Sequence, residues 1–241
     1  MTDLPNPIFC ALDTPTTAGA VELGRTVAPH VGGLKLGLEF FMAAGPAGVR
    51  AVAEIGRPVF LDLKLHDIPN TVAGAIRSVV PLAPAFITLH ASGGPAMMRA
   101  ALDAAHETAA SANLARPRLL GVTVLTSLDA EDLSAVGQDD EVARQVGRLA
   151  TLARAAGLDG VVCAPGEIAR LRAQMGPEFG LMVPGIRPAG AGADDQKRVM
   201  TPQQAMAAGA DHLVIGRPIT RAADPAEAAR HIAESLRHDH P

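Results

Sequence analysis

The sequence alternates between two textures. Eight short apolar runs recur along the chain, and each is followed by a stretch of helical composition. The runs lie at 7–13, 33–38, from 59 onward, 84–90, 119–125, 160–164, 180–186 and 211–216. Helical stretches follow at 18–28 (with Thr16 and Thr17 as candidate caps), 45–55, 71–80, 95–110, 141–156, 167–175, from Thr201 onward and at 225–237. A run that is apolar on successive residues reads as a strand buried on both faces, and strand–helix alternation implies a parallel sheet. Eight such units in 241 residues fit the α/β class and, within it, the (β/α)8 TIM barrel, for which ~250 residues is typical. An open doubly wound sheet needs a topological switch and usually has fewer strands. We therefore expect one catalytic domain over residues 1–241, undivided by any linker or low-complexity segment.

In a barrel of this kind the chemistry sits at the C-terminal ends of the strands. Polar residues fall there repeatedly: Asp13, Lys35, Asp62 with Lys64, His90, Thr126, Arg187 and Arg217. Independent interruptions of a core have no reason to gather at one end of different strands. A common site explains them more simply.

The third run, Val59-Phe-Leu-Asp-Leu-Lys-Leu-His-Asp-Ile-Pro-Asn-Thr71, carries the densest signal. Asp62 and Lys64 stand two positions apart, so regular strand alternation puts both on one face, roughly 7 Å apart along the strand. His66 is then expected to point away, in a structural role. Asp67 follows where the strand gives way to a loop, and Pro69 stops the strand. Charges in a buried strand are costly unless paired. The pair is therefore either a structural ion pair or a catalytic lysine held between carboxylates.

Composition bears on that choice. Of 21 basic residues only Lys35, Lys64 and Lys197 are lysine; the rest are arginine. Arginine does not give up its proton in a protein, whereas lysine does. Lysines kept in an arginine-dominated chain are candidates for work that needs a compact ammonium or a proton donor. Asp62, Lys64 and Asp67, joined by Lys35 from the neighbouring strand, would form an alternating array of charges. At an effective dielectric near 20, each contact at ~4 Å is worth about 4 kcal/mol before desolvation. Such an array favours an ammonium at Lys64, built as an acid and not as a Schiff-base nucleophile. The role of Lys197 stays open.

The seventh and eighth runs close with Pro184-Gly-Ile-Arg187 and Gly216-Arg217-Pro218. Barrels commonly bind phosphate in these two loops, where glycine lets backbone N–H groups approach and arginine supplies a bidentate fork. Residues 187–198 include Gly190, Gly192, Asp194, Asp195 and Gln196, a composition that suits a lid, with Gln196 a candidate ligand contact. His90 makes a metal site conceivable, but two ammonium groups would compete with a divalent cation for the carboxylates. Cys10 and Cys163 lie in apolar runs and read as buried thiols, not as a disulfide. Net charge is −4 with no long basic run, which leaves no footprint for nucleic acid or an anionic membrane. No apolar run approaches the ~18–20 residues that span a bilayer, and no signal peptide is evident, so a cytoplasmic location is expected.

The string Asp62-Leu-Lys64-Leu-His-Asp67-Ile-Pro-Asn-Thr71 resembles the signature of the orotidine 5′-phosphate decarboxylase family. The resemblance extends through Ala11-Leu-Asp13, Leu34-Lys-Leu-Gly37, His90-Ala-Ser-Gly-Gly94, Val122-Thr-Val-Leu-Thr-Ser127, Pro184-Gly-Ile-Arg-Pro188, Asp195-Gln196 and Ile215-Gly-Arg-Pro218. It implies decarboxylation of orotidine monophosphate to uridine monophosphate, with no metal and no organic cofactor. It further implies Lys64 as proton donor to C6 of the pyrimidine, Asp62 beside the substrate carboxylate, and Asp67 and Thr71 reaching into the partner's site in a homodimer. By the same match Asp13 and Lys35 would hold the ribose hydroxyls and Thr126 the base. Arg187, Gln196, Gly216 and Arg217 would hold the phosphate. Two other readings stand beside it: a metal-dependent sugar-phosphate decarboxylase or epimerase on the same barrel, and a phosphate-binding module without catalysis.

Overall fold

Each apolar run forms a strand in the computed structural model, which describes residues 6–188 and 200–237. The strands are β1 (Ile8–Ala11), β2 (Gly33–Gly37), β3 (Val59–Leu65), β4 (Phe86–His90), β5 (Arg118–Val122), β6 (Gly160–Val162), β7 (Gly180–Val183) and β8 (His212–Ile215). Every neighbouring pair is parallel, and β8 pairs with β1 to close the barrel in sequence order. The helices among the described residues are α1 (Thr17–Val27), α2 (Leu38–Ala53), α3 (Pro69–Val79), α4 (Gly94–Ser111), α5 (Ala130–Ala135), α6 (Val142–Ala155), α7 (Ile168–Met175), α8 (Pro202–Ala207), α9 (Arg217–Thr220) and α10 (Pro225–Ser235).

Most strands are shorter at their C-terminal ends than the apolar runs that encode them. The residues left over, such as Asp13, and those just beyond the runs, such as Thr126 and Arg187, leave the sheet and build the mouth of the barrel. Helix starts follow local chemistry. Thr16 caps α1, its hydroxyl accepting from Gly19 N–H, and Thr201 with Gln204 forms a capping box on α8. Helix α3 begins at Pro69, earlier than the 71 expected, because proline both ends the strand and suits the first helical position. Helix α2 also begins early, at Leu38. Gly45 interrupts it with φ +58°, a conformation open to glycine, so 38–53 is two helical pieces joined at a kink that Pro46 continues.

Two apolar layers hold the molecule together. The larger lies between the outward faces of the strands and the helices, and includes Ile8, Leu34, Leu61, Ile87 and Leu213. The smaller fills the barrel interior with Phe9, Phe60, Phe86, Leu120 and Met182. The three rings meet edge to face, with centroids 5.5–6.1 Å apart. Gly33 makes this layer possible, since a Cβ there would collide with the Phe9 ring. The layer seals the barrel floor, so a ligand can enter only from the C-terminal end. Two residues beyond Phe60 on the same strand stands Asp62, the first polar residue above that floor.

Candidate active site

A cavity of about 240 Å³ opens at the C-terminal end of the barrel. Its floor is Phe60, Val162 and Val214, from the inner layer. Asp13, Lys35, Asp62 and Lys64 line one wall, and Arg187, Gly216 and Arg217 line another. Thr126 lines it as well. Of the residues that sequence reasoning selected, these eight come together.

The acidic and basic side chains form a continuous chain. Lys35 Nζ is 3.1 Å from Asp13 Oδ1 and 4.0 Å from Asp62 Oδ2. Lys64 Nζ donates to the same Asp62 Oδ2 at 2.7 Å. Lys35 and Asp62 are nearly buried, with side-chain exposures of 11% and 12%, whereas Lys64 is 35% exposed and faces the cavity. The order is Asp13–Lys35–Asp62–Lys64, each charge beside one of opposite sign. Within one chain the array therefore gains Asp13 at its Lys35 end and lacks the expected Asp67 at its Lys64 end. Asp67 lies outside the cavity lining, exposed, with Oδ1 accepting from Ile68 N–H at 2.6 Å. The reason is local: the chain turns outward at 66–68 before α3 begins, and carries Asp67 and the exposed Thr71 with it.

The backbone at Lys64 differs from the regular strand expected. Its φ is +51°, in the left-handed region that a lysine rarely adopts, and the register between β3 and β4 shifts between Leu61 and Leu65. Such a conformation costs on the order of 1–3 kcal/mol and persists only where the surroundings enforce it. The bulge brings the ammonium back onto the Asp62 carboxylate. One enforcing contact is visible: Lys64 N–H donates to Thr88 Oγ1 at 2.9 Å, and Thr88 Oγ1 donates to Asp62 Oδ1 at 2.9 Å. Thr88, on β4, is fully buried. Sequence reasoning passed over it because threonine is an ordinary strand residue; its only sequence signal is a hydroxyl in an otherwise apolar stretch of β4.

On the opposite wall Arg187 is only 6% exposed, and its N–H donates to Met200 O at 3.0 Å across an Ile186–Met200 bridge. Arg217 opens the short helix α9, directly after Gly216. Gln196 and Lys197, with most of the expected lid, lie outside the described residues.

The histidines and cysteines take no part in this array. His66 is exposed and its ring lies 5.3 Å from that of His90, at 33°. Burial, then the neighbouring His66 and Lys64, holds His90 below the usual imidazole range. Among the described residues no group of three or more His, Cys, Asp or Glu is placed to hold a metal ion. Both cysteines are free and buried. Cys163 lines the cavity, but burial and then Glu167 push its thiol up, which makes it a poor nucleophile.

The fold and site together define a class: a (β/α)8-barrel enzyme with an alternating lysine–aspartate centre in a cavity that two arginines also line. Comparison with known proteins narrows it. Residues 6–232 match the family described as orotidine 5′-phosphate decarboxylase / HUMPS, and the chain belongs to that family. It is 56% identical over 231 residues to the orotidine 5′-phosphate decarboxylase of Paramagnetospirillum magneticum, covering 96% of this chain and 98% of that protein. It is also 56% identical to the Rhodospirillum rubrum enzyme of the same name, covering 96% and 94% of the two chains. The crystal structure of orotidine 5′-phosphate decarboxylase from Lactobacillus acidophilus superposes with a TM-score of 0.85 at 35% identity, covering 96% of this chain and 99% of the other.

Proposed function

We propose that this chain decarboxylates orotidine 5′-monophosphate to uridine 5′-monophosphate, the last step of de novo pyrimidine synthesis, as a cytoplasmic carboxy-lyase needing neither metal nor organic cofactor. One observation carries the reading. The Asp13–Lys35–Asp62–Lys64 array stands in the same cavity as Arg187 and Arg217, so one ligand can meet both an ammonium and an anion grip.

The chemistry follows from the charges. Breaking the bond between C6 and the carboxylate releases CO₂ and leaves an electron pair on C6 that the ring delocalises poorly. The Lys64 ammonium stabilises that pair, then transfers a proton to C6, and the amine regains a proton from solvent. Asp62 sits beside the leaving carboxylate; the repulsion is relieved as CO₂ departs, so it weighs on the ground state more than on the transition state. Asp13 and Lys35 hold the ribose hydroxyls, and Thr126 meets the base. Arg187, Gly216 and Arg217, joined by Gln196, take the phosphate, whose binding energy is spent on positioning C6 against Lys64.

In this reading the active unit is a homodimer. Asp67 and Thr71 are exposed, and so are three large apolar side chains on the elements that follow β2 and β3: Leu38 and Met42 at the start of α2, and Ile68 just before α3, at 55%, 77% and 67% exposure. Docking a second copy there would cover the apolar groups and deliver Asp67 and Thr71 to the partner's cavity.

Orotidine monophosphate, incubated with the chain in the presence of a chelator, should lose its ring absorbance. With no Trp or Tyr in the chain, the protein's own ultraviolet background is low. Lys64→Ala should lower turnover by roughly 10³-fold or more, while uridine monophosphate still binds. Retained turnover in Lys64→Ala, or activity abolished by the chelator, would overturn the proposal.

A further inference from the structure

We infer that Thr88 is a positioning residue for this reaction: its hydroxyl fixes both the Asp62 carboxylate and the left-handed backbone of Lys64. The inference rests on the reaction proposed above and adds to it the device that holds the two central groups in register.

Three facts on adjacent strands converge. Lys64 adopts φ +51° where the β3–β4 register shifts, so its amide leaves the ladder. That amide needs another acceptor and finds Thr88 Oγ1 at 2.9 Å. A hydroxyl has one proton to give, and Thr88 gives it to Asp62 Oδ1 at 2.9 Å. The result is a relay in one direction: Lys64 N–H to Thr88 oxygen, Thr88 O–H to Asp62.

The relay also sorts the two oxygens of Asp62. Oδ1 is capped by Thr88, which leaves Oδ2 to receive Lys64 at 2.7 Å and Lys35 at 4.0 Å. Without the cap Oδ1 loses this hydrogen bond, the carboxylate keeps only its lysine contacts through Oδ2 to set its orientation, and the bulge that returns the Lys64 ammonium to it loses its anchor. Thr88 is 0% exposed, so its methyl is held by barrel packing and the hydroxyl has little freedom to choose other partners. Because Thr88 is not among the residues lining the cavity, it acts through Asp62 and Lys64 and not on substrate.

The test compares three variants with the unsubstituted chain. Thr88→Val keeps the shape and removes the hydroxyl. Thr88→Ser keeps the hydroxyl and removes the methyl. Thr88→Ala leaves a smaller side chain should valine prevent folding. For folded protein, Thr88→Val and Thr88→Ala should lower kcat for orotidine monophosphate by 10- to 100-fold, with KM and the Kd for uridine monophosphate changed less than about threefold. Thr88→Ser should stay within about fivefold of the parent kcat. A merely structural role predicts otherwise: kcat, KM and nucleotide Kd deteriorate together, and serine, which leaves a cavity, is no better than valine. That pattern, or parental kcat in Thr88→Val or Thr88→Ala, would overturn the inference. Failure of the unsubstituted chain to turn over orotidine monophosphate would overturn the reaction as well, and so marks the two failures apart.

Discussion

Two guanidinium groups face one cavity, yet they are placed differently. Arg187 is almost entirely buried, its backbone tied to Met200, so removing it would disturb the packing around it as well as any ligand. Arg217 is half-buried at the start of a four-residue helix, and is the cleaner probe of anion binding. Arg217→Ala should weaken binding of uridine monophosphate roughly 10- to 100-fold, the worth of a charge-assisted bidentate contact. Stability should change by less than about 0.5 kcal/mol. Calorimetric titration and urea unfolding read the two quantities separately. Orotidine, which lacks the phosphate, supplies the control: parent and variant should process it alike. If Arg217→Ala loses as much relative to the parent on orotidine as on the phosphorylated substrate, the side chain serves something other than phosphate.

At the scale of elements, β8 contributes a group whose only evident effect is on stability. His212 stands in the inner aromatic layer, its ring centroid 5.5 Å from Phe9 and 5.2 Å from Phe86. Among the described residues neither of its ring nitrogens finds a hydrogen-bond partner. Burial pulls its pKa down to about 4; Asp211 opposes the shift and Arg118 adds to it. The unfolded chain titrates this group near 6.5, so as pH falls from 6.5 toward 4 it takes up a proton that the folded chain excludes. His212 alone should therefore cost the folded state about 2 kcal/mol on going from pH 7.5 to 5.0. His212→Phe keeps an aromatic edge in the layer and removes the titration. Its urea midpoint should fall less than the parent's over that interval, and an equal fall in both would show that the histidine is not the cause. This residue also marks what the sequence conceals. The eight strands were legible because each is a continuous apolar run, and the cavity wall was legible because its charges interrupt those runs at one end. Three things were not. The left-handed Lys64 is invisible to a rule of strict alternation, since the bulge depends on a hydroxyl contributed by a different strand. Thr88 looks like any strand-forming threonine. The short helices α5 and α9 are too brief to show a period, and α9 overlaps the Gly216-Arg217-Pro218 motif, which reads as a turn.

At the scale of the whole molecule, one chain alone does not bring every expected site residue together. Asp13, Lys35, Asp62 and Lys64 line the cavity, but Asp67 and Thr71 do not and are exposed, as are Leu38, Met42 and Ile68. If a second copy covers that face, each cavity is completed by Asp67 of the other chain, and two differently damaged chains can repair one another. Lys64→Ala and Asp67→Ala should each be nearly inactive alone. In a dimer of one chain of each kind, one site combines both defects. The other pairs an intact Lys64 with an intact Asp67 from its partner. Random reassociation of equal amounts makes half the dimers mixed, each with one of two sites whole, so about a quarter of parental activity should return for a two-fold dimer. Recovery should rise with the time allowed for subunit exchange and should vanish in Met42→Asp or Ile68→Asp backgrounds, which place a charge in the apolar face. If Asp67 served its own chain instead, every mixed dimer would hold two broken sites and mixing would restore nothing. The readout is activity per dimer after mixing, which no property of the separated chains can imitate.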